Sequence, residues 1–355
     1  METKNVRMSQ DYNQNSHIQR TTALSSTAKI TACLREMIEK KPDRFKNNKL
    51  PFTVADLGCA GGKSVIPALD SIITLIRETN PELPISVYLN DTPSTDFSLA
   101  MKTVNSGLEK HNNIWIYSIG KSFYEGLFPE DSMDLIISTT SVHWLPRTPA
   151  PLATLICGLT EELAATPEGK IWEKEADKHW KLFLDLRYKE LRRDGHLIVV
   201  VPCLSDPLSG DDIRFIKQFS IWKTSFLRAL AKLDLPADDD YTIPAIVKPL
   251  KYYEKTFDDK MTEMQLIETF SITNEQLKPE EDPKAYASKL ANFTMAASSD
   301  ILRSIMIEKE FQEESASKVL EEYRKELTFR FLESEDPQNP IKVLFAGLIM
   351  KKKSE

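Results

Sequence analysis

The chain has 355 residues, of which 41% are hydrophobic and 28% are charged, and its formal net charge is -7. This length and apolar content exclude a disordered chain and predict one large globular unit or two joined ones. The negative charge argues against nucleic acid as the main partner. No window approaches the roughly 18 consecutive apolar residues of a membrane span, and Met1–Arg20 lacks the apolar segment of a signal peptide. We therefore expect a soluble, cytoplasmic protein with no membrane partner.

An amphipathic helix is predicted first, over Ser26–Lys40, where apolar residues recur at helical spacing. Short apolar strands then alternate with helices. The predicted strands are Pro51–Gly58, Ile85–Leu89, Ile114–Ile119, Met133–Ser138 and His196–Val201. The predicted helices between them are Val65–Glu78, Thr95–Lys110 and a helix that includes Trp180–Leu191. This alternation predicts an α/β fold with a parallel, doubly wound sheet that is covered on both faces.

The second part of the chain is predicted to be mainly helical. Its predicted elements are a helix over Asp211–Leu235, a strand or turn over Pro249–Phe257, helices around Thr262–Thr269, Pro283–Ile307 and Glu314–Arg330, and a last strand over Val343–Met350. The first of these helices carries an aromatic stripe, Phe215, Phe219, Trp222 and Phe226. The stripe indicates a helix core first, and only second a lid that lines an apolar pocket.

These elements predict one sheet that is finished by the C-terminal strand, with the helices as an insertion. We expect an N-terminal segment and the sheet core over residues 1–205, and a mainly helical cap over residues 206–330. Late sheet elements at about 245–276 return from the cap to the core. Residues 331–355 supply the strand that completes the sheet. The four cysteines, Cys33, Cys59, Cys157 and Cys203, are too far apart for a zinc pattern or a disulfide framework, and we expect them to be reduced and mostly buried.

A glycine turn follows the first of these strands, in Asp56–Gly62, where three of the 11 glycines gather. Glycine lets the backbone approach a ligand closely, and ligands of open α/β sheets bind at the carboxyl ends of the strands. The order GxxGG after an acidic residue matches neither the GxGxxG fingerprint nor the Walker loop. It suits a cationic, adenosine-bearing ligand better than a pyrophosphate, although a plain tight turn explains the glycines equally well.

The second predicted strand runs into Asn90-Asp91, one βα unit after the glycine turn. A carboxylate at this position can accept hydrogen bonds from both hydroxyls of a ribose. The alternative is a helix cap, a role for which Asp96 is better placed. Together, the glycine turn and Asp91 resemble the nucleotide side of an S-adenosylmethionine-dependent methyltransferase.

Further motifs narrow the resemblance to the SABATH methyltransferases, which methylate carboxylic acids and, in some branches, xanthine nitrogens. The segment Asp11–Arg20 looks like the family's N-terminal Y-x-x-N-S-x-x-Q element. The other matching segments are Asp56–Cys59, Leu89–Asp91 with Asp96-Phe97, Ser122–Tyr124 with Leu127–Pro129, His143–Leu145, and Asn292–Leu302. These ordered motifs cover nearly the whole chain. The resemblance implies a Rossmann-like methyltransferase sheet with an inserted α-helical cap.

The resemblance also implies S-adenosyl-L-methionine as the cofactor. The residues that it assigns to the cofactor are Tyr12, Ser16, Asp56, Gly58, Cys59, Asp91, Ser122 and Phe123. Of these, Asp91 would take the ribose hydroxyls, while Ser122 and Phe123 would hold and stack the adenine.

The family's contacts to the substrate carboxylate fall on Gln19 and Trp144, with His143 beside them. An amide N–H and an indole N–H are neutral donors that orient a carboxylate. A carboxylate is already a nucleophile at neutral pH, so we expect no catalytic acid or base. Catalysis would depend on alignment in a dry pocket.

Three positions depart from the family's pattern. Ser64 stands in place of Asn, Thr92 in place of Leu, and Thr140 in place of an aromatic residue that would wall the substrate. The substitution at Thr140 widens or reshapes the substrate pocket. At the magnesium positions of some members, Asp239 is a weak candidate ligand, and one carboxylate does not make a metal site. We therefore expect no metal.

The leading hypothesis is methylation of the carboxylate of a small lipophilic acid to a methyl ester. One alternative keeps the enzyme and moves the acceptor to a ring nitrogen or a hydroxyl of a small molecule. Another is a non-catalytic relative that binds a small molecule. The sequence does not identify the acid, and it leaves a homodimer open.

Overall fold

The structure, a computed structural model, describes residues 17–46, 50–238, 240–260 and 262–352. Its strands are β1 Phe52–Leu57, β2 Ile85–Asp91, β3 Ile114–Gly120, β4 Met133–Thr139, β5 Cys157–Gly158, β6 Leu191–Leu204, β7 Ile246–Pro249, β8 Met264–Glu275 and β9 Lys342–Lys352. Its helices are α1 His17–Lys40, α2 Pro42–Lys46, α3 Ile66–Thr79, α4 Phe97–Gly107, α5 Glu161–Ala164, α6 Pro167–Glu190, α7 Gly210–Lys232, α8 Lys251–Asp258, α9 Pro283–Glu308 and α10 Glu313–Ser334.

The strands form one sheet in which β3, β2, β1, β4 and β6 lie side by side in that order. These five strands pair in parallel. Beyond β6 comes β9, which runs antiparallel both to β6 and to its other neighbour, β8. The short strands β7 and β5 extend the sheet from the carboxyl end of β6, where Cys203 pairs with Lys248. The predicted doubly wound, mainly parallel sheet is confirmed.

The C-terminal strand lies inside the sheet and not at its edge. β9 pairs with β6 from His196↔Lys351 to Cys203↔Leu344. Residues 197–201 of β6 are buried on both faces, which explains why this strand reads as a continuous apolar run. The chain therefore leaves the sheet after β6, builds the helical part, and returns to finish the sheet.

Helices cover both faces of the sheet. α1, α3 and α4 share a core with one face, and α6 and α8 share a core with the other. In α3, Leu69, Ile72, Ile73 and Ile76 are buried at helical spacing, so the helix presents one apolar stripe to the sheet. α4 is capped by Asp96, whose carboxylate accepts a hydrogen bond from the Leu99 N–H at 3.0 Å.

The helices α7, α9 and α10 pack on one another around a separate core. Phe226 of α7 lies in this core, edge-to-face against Tyr323 of α10 with ring centroids 5.4 Å apart. α7 begins with a capping box formed by Ser209 and Asp212. This helical layer covers the carboxyl end of β6 and so forms one wall of the site described below.

Two predicted elements are wrong. Thr262–Thr269, predicted as a helix, lies largely in strand β8, and Pro249–Phe257, predicted as a strand or turn, largely forms helix α8. β8 pairs with β9 over its whole length, and this long-range pairing outweighs the local preference. In α8, Tyr253 and Thr256 are buried three residues apart, which is the spacing of one helix face.

The helix α1 begins at His17 and not at the predicted Ser26. Its first turn is held by tertiary contacts, because Ile18 packs against Val343 and Phe345 of β9. The Asn274 side-chain amide donates to the Thr22 hydroxyl at 3.0 Å. These contacts hold the start of α1 over the ends of β8 and β9.

All four cysteines are buried and unpaired, as expected. Among the described helices, none combines the length and the apolar character that crossing a bilayer requires.

Candidate active site

The loop after β1 is a tight turn with three residues in the left-handed backbone region, Gly58, Ala60 and Gly62. Gly58 has a φ of +87° and Gly62 a φ of +77°. A Cβ atom on Gly58 would overlap the hydroxyl of Ser141, and one on Gly62 would lie 3.0 Å from the carbonyl oxygen of Ala100. Both positions require glycine, because a side chain would be strained and would have no room.

Asp91 fixes this turn from the end of the neighbouring strand. Its Oδ2 accepts a hydrogen bond from the Ala60 N–H at 2.7 Å, and its Oδ1 accepts one from the Thr92 N–H at 2.7 Å. The N–H groups of Gly58 and Cys59 donate to the carbonyl of Asn90 at 2.8 and 3.0 Å. Backbone hydrogen bonds therefore join the carboxyl ends of β1 and β2.

Asp56 is the last acidic residue before the turn, and 5% of it is exposed. Burial raises the pKa of its carboxyl to about 8, and the nearby Asp91 carboxylate adds to the effect. Burial also raises the pKa of Asp91. The thiol of Cys59 is buried as well. This residue therefore contributes to the turn through its backbone. The turn thus places partly exposed backbone beside the buried Asp56 and the half-buried Asp91.

The predicted adenine residues follow β3, the next strand of the sheet. Gly120 pairs with Asp91, so Ser122 and Phe123 come directly after the paired strand ends. The Ser122 hydroxyl accepts a hydrogen bond from the Tyr124 N–H at 3.2 Å. Phe123 packs edge-to-face on Phe183 with ring centroids 5.9 Å apart. Consecutive strand ends thus bring Ser122 and Phe123 to the same edge of the sheet as Asp56, Gly58, Cys59 and Asp91.

Two residues that the sequence reasoning missed hold the loop after β3. Arg187 of α6 donates to the carbonyls of Phe123 and Glu125, each at 2.9 Å. Its partner Glu190 accepts from the Leu127 N–H at 2.7 Å, and the Arg187 Nε–Glu190 Oε2 distance is 2.8 Å. The pair is buried. The sequence signal for this pair was an Arg and a Glu three residues apart, close to the apolar Phe183.

The predicted substrate residues Gln19, Thr140, His143 and Trp144 all line one cavity. It encloses about 680 Å³ of space, part of which is open to solvent. Its other lining residues are mostly apolar and come from α1, α7, α9, the sheet and the residues next to its strands: Ile18, Ile156, Pro202, Phe215, Phe219, Trp222, Val247, Gln276, Phe293, Ala297, Val343 and Phe345.

The aromatic stripe of α7 therefore has both of its predicted roles. Phe215, Phe219 and Trp222 line the cavity, and Phe219, Trp222 and Phe226 are buried in the cap core. The sequence reasoning missed Gln276, which directly follows β8, and Phe345 of β9. Nothing in their local sequence distinguishes them, because their place depends on the antiparallel pairing of two distant strands.

The polar groups at the cavity are neutral. Burial lowers the pKa of His143 to about 3, so its imidazole carries no charge at neutral pH. Its Nδ1 and the Oε1 of Gln19 are buried and accept no hydrogen bond from the described residues. The carbonyl of Trp144 accepts a hydrogen bond from the Tyr124 hydroxyl at 2.9 Å. That bond connects the loop after β3 with the substrate side of the site.

Thr140 and Ser141 form the bend at which β4 enters the site. Thr140 has a φ of +59°, a conformation that costs a non-glycine residue of the order of 1–3 kcal/mol. Its N–H donates to the Val200 carbonyl at 2.7 Å. The Ser141 hydroxyl donates to the Gly58 carbonyl at 3.2 Å. The glycine turn and the cavity therefore meet at this bend.

Tyr12, Ser16 and Asp239 lie outside the described residues, and their predicted roles stay predictions. Across the described ranges, no group of three or more His, Cys, Asp or Glu side chains lies close enough to hold a metal ion.

Comparison with known proteins identifies the family. A family model described as SAM-dependent carboxyl methyltransferase matches residues 3–352 of the chain. In the solved structures, loganic acid methyltransferase with bound S-adenosylhomocysteine superposes with a TM-score of 0.75 at 17% identity, over 99% of each chain. This likeness shows the shared Rossmann-like methyltransferase fold.

Several curated relatives are plant xanthine methyltransferases. A probable 7-methylxanthine methyltransferase of Theobroma cacao is 29% identical over 69% of this chain and 72% of the relative. A second one from Theobroma cacao is 31% identical over 54% of this chain and 56% of the relative. A probable caffeine synthase of Coffea canephora is 29% identical over 51% of this chain. The chain spans about half the length of several curated relatives that it matches, 52% for the last of these.

The buried Asp56 predicts an unusual pH dependence of stability in the protein without cofactor. Between its ordinary value of 3.8 and its folded pKa of about 8, the folded state keeps a proton that the unfolded state has lost. Stability should therefore fall as pH rises through this window, by up to about 1.4 kcal/mol per pH unit.

Chemical denaturation at pH 5 to 9 tests this. The stability of Asp56→Asn relative to wild type should increase up to about pH 8 and then stay constant. The control is Asp96→Asn, which retains an N-cap side chain. A difference between wild type and Asp56→Asn that does not change with pH would contradict the assignment.

Proposed function

Because the chain belongs to the SABATH family of S-adenosylmethionine-dependent carboxyl methyltransferases, we propose that it methylates the carboxylate of a small lipophilic acid. The product is a methyl ester. S-adenosylmethionine is the cofactor, and when bound it supplies an electrophilic methyl group on a sulfonium ion. Membership of the family does not determine which group accepts the methyl, so the carboxylate acceptor is the part that we propose.

The donor set at the ends of β1, β2 and β3 fits this cofactor. The Asp91 carboxylate accepts the backbone N–H groups of Ala60 and Thr92, and the hydroxyls of Thr92 and Thr95 also donate to it. Ribose hydroxyls would take the place of these two threonine hydroxyls. Gly58, Ala60 and Gly61 of the glycine turn are partly exposed, so their backbone can contact a ligand. Ser122 and Phe123 would hold and stack the adenine. The buried pair Arg187 and Glu190 keeps their loop in position.

The cavity suits a carboxylate that is oriented without an ion pair. Gln19 and Trp144 would donate from an amide and an indole, with the neutral His143 beside them. A carboxylate held by neutral donors keeps its nucleophilicity. One of its oxygens would attack the methyl carbon that the cofactor supplies, and S-adenosylhomocysteine would be the leaving group. No proton moves, so no general base is needed.

The observation that carries the proposal is the contact between Ser141 and Gly58. The hydrogen bond of 3.2 Å between them joins the glycine turn to the bend that bears Thr140, at the rim of the cavity. A cofactor at the turn and an acid in the cavity would therefore meet at this bend. Alignment of this kind, in a largely apolar cavity, supplies much of the catalysis in reactions that need no acid or base.

The relatives support a second candidate, methylation of a ring nitrogen. Three curated relatives are named as xanthine methyltransferases or a caffeine synthase, at 29–31% identity. Such an acceptor has no carboxylate, so it would not depend on the amide of Gln19. The two candidates therefore differ in one measurable contact.

Gln19→Ala should reduce kcat/KM for the acid by about tenfold to hundredfold, because a hydrogen bond to a charged group is lost. The assay follows transfer of a labelled methyl group to the acid. The control Gln312→Ala removes an exposed glutamine that does not line the cavity and should leave kcat/KM unchanged. Full activity in Gln19→Ala would favour the ring-nitrogen acceptor.

Asp91→Ala should weaken binding of S-adenosylhomocysteine by at least about a hundredfold, because the bonds to both ribose hydroxyls and the support of the turn are lost. Isothermal titration calorimetry measures this, with Asp96→Asn as the control. Unchanged affinity in Asp91→Ala would contradict the proposed cofactor site.

A further inference from the structure

A chain of three buried polar side chains leads from the cavity to the far side of α7. Gln276, directly after β8, lines the cavity and is fully buried. Its Nε2 donates to the Oε1 of Gln218 on α7 at 3.0 Å. The Nε2 of Gln218 in turn donates to the Oε1 of Glu335 at 3.1 Å. These three residues are called the amide relay below.

The end of the relay away from the cavity is anchored by a hydrogen-bond acceptor. The side chain of Glu335 is 5% exposed, and its second oxygen lies 3.5 Å from Arg214. Burial raises the pKa of Glu335, whereas Arg214 and Gln218 favour its charged form. Both oxygens thus face donors, and a carboxylate can only accept.

This anchor fixes the orientation of both amides. Because Glu335 accepts, Gln218 must turn its NH₂ group toward Glu335 and its carbonyl toward Gln276. Gln276 must then turn its own NH₂ group toward Gln218. Its carbonyl oxygen is left without a partner among the described residues. A buried carbonyl without a partner is unfavourable, and a ligand N–H or O–H would satisfy it.

The indole of Trp222, which also lines the cavity, has the opposite character. The indole Nε1 of Trp222 is buried and has no hydrogen-bond partner in the described part of the chain. It can only donate. Around it and Gln276 the wall is apolar, with Phe215, Phe219 and Phe345 among its members. Besides Gln19 Oε1 and His143 Nδ1, which are also unpaired among the described residues, the cavity thus offers a third acceptor, the Gln276 carbonyl, whose orientation the relay fixes.

We propose that Gln276 determines specificity by accepting a hydrogen bond from an N–H or O–H group of the methyl acceptor. The substrate class is then a lipophilic acid that also carries such a donor, away from its carboxylate. This inference rests on the proposed function in that it takes the cavity as the acceptor site. Gln218 and Glu335 are positioning residues, because they act only by fixing the Gln276 amide.

The test compares acids that differ in one group of nearly equal size. Hydroxybenzoic and hydroxynaphthoic acids are paired with the methylbenzoic and methylnaphthoic acids of the same substitution pattern. Binding to the full chain, saturated with S-adenosylhomocysteine, is measured by isothermal titration calorimetry. For at least one pair, wild type should bind the hydroxyl compound about tenfold to hundredfold more tightly.

Two variants should abolish this preference in different ways. Gln276→Leu removes the acceptor, so the hydroxyl compound should lose its advantage. The amide introduced by Glu335→Gln can either donate or accept a hydrogen bond. The hydrogen bonds of the relay can then reverse direction, so that Gln276 presents its NH₂ group to the cavity. In Glu335→Gln, the affinities for the hydroxyl compound and its methyl partner should then differ by no more than about threefold. The control Gln338→Leu changes an exposed glutamine and should keep the wild-type preference. Thermal unfolding and S-adenosylhomocysteine affinity confirm that each variant is folded.

The inference is overturned if Gln276→Leu keeps the wild-type preference, or if no hydroxyl compound binds wild type more tightly than its methyl partner. It is separable from the proposed function. If the preference depends on Gln276 but the bound acids yield no methyl ester, the proposed reaction fails and the role of Gln276 is supported.

Discussion

The site depends on one close approach, that of the Ser141 side chain to the backbone of Gly58. A Cβ atom on Gly58 would overlap the Ser141 hydroxyl, so this contact exists only because the turn carries glycine there. The contact joins the carboxyl ends of β1 and β4. The turn belongs to the proposed cofactor site, and the bend at Thr140 belongs to the cavity. The left-handed backbone of Thr140 is the local cost of bringing the two together.

Buried polar groups maintain this geometry on both sides of the contact. Asp91 joins the ends of β1 and β2 by accepting two backbone hydrogen bonds, and the Arg187–Glu190 pair holds the loop after β3. Unpaired polar atoms in such positions would destabilise the fold. Near the cavity, by contrast, His143 and Gln276 keep atoms that find no partner within the described ranges. Where the fold leaves a buried polar atom unsatisfied, a ligand can satisfy it.

The sequence predicts the parallel strands well, because strands buried on both faces are apolar runs, as in β6. The glycine turn and Asp91 are also readable, since both are set by local backbone chemistry. The sequence does not predict that β8 is a strand, because pairing with the distant β9 determines its conformation. The start of α1 depends on Ile18 packing against β9. Gln276 and Gln218 are 58 positions apart, and Gln218 and Glu335 are 117 apart, so no local pattern reveals the relay.

The central claim is that the acceptor atom is a carboxylate oxygen. The most direct measurement incubates the protein with methyl-labelled S-adenosylmethionine and lipophilic acids, alongside N–H heterocycles without a carboxyl group, and then treats the products with mild base. The account predicts label on the acids that base releases as methanol, as expected of methyl esters. Label found only on ring nitrogen, stable to base, would contradict it, as would no transfer to any acid.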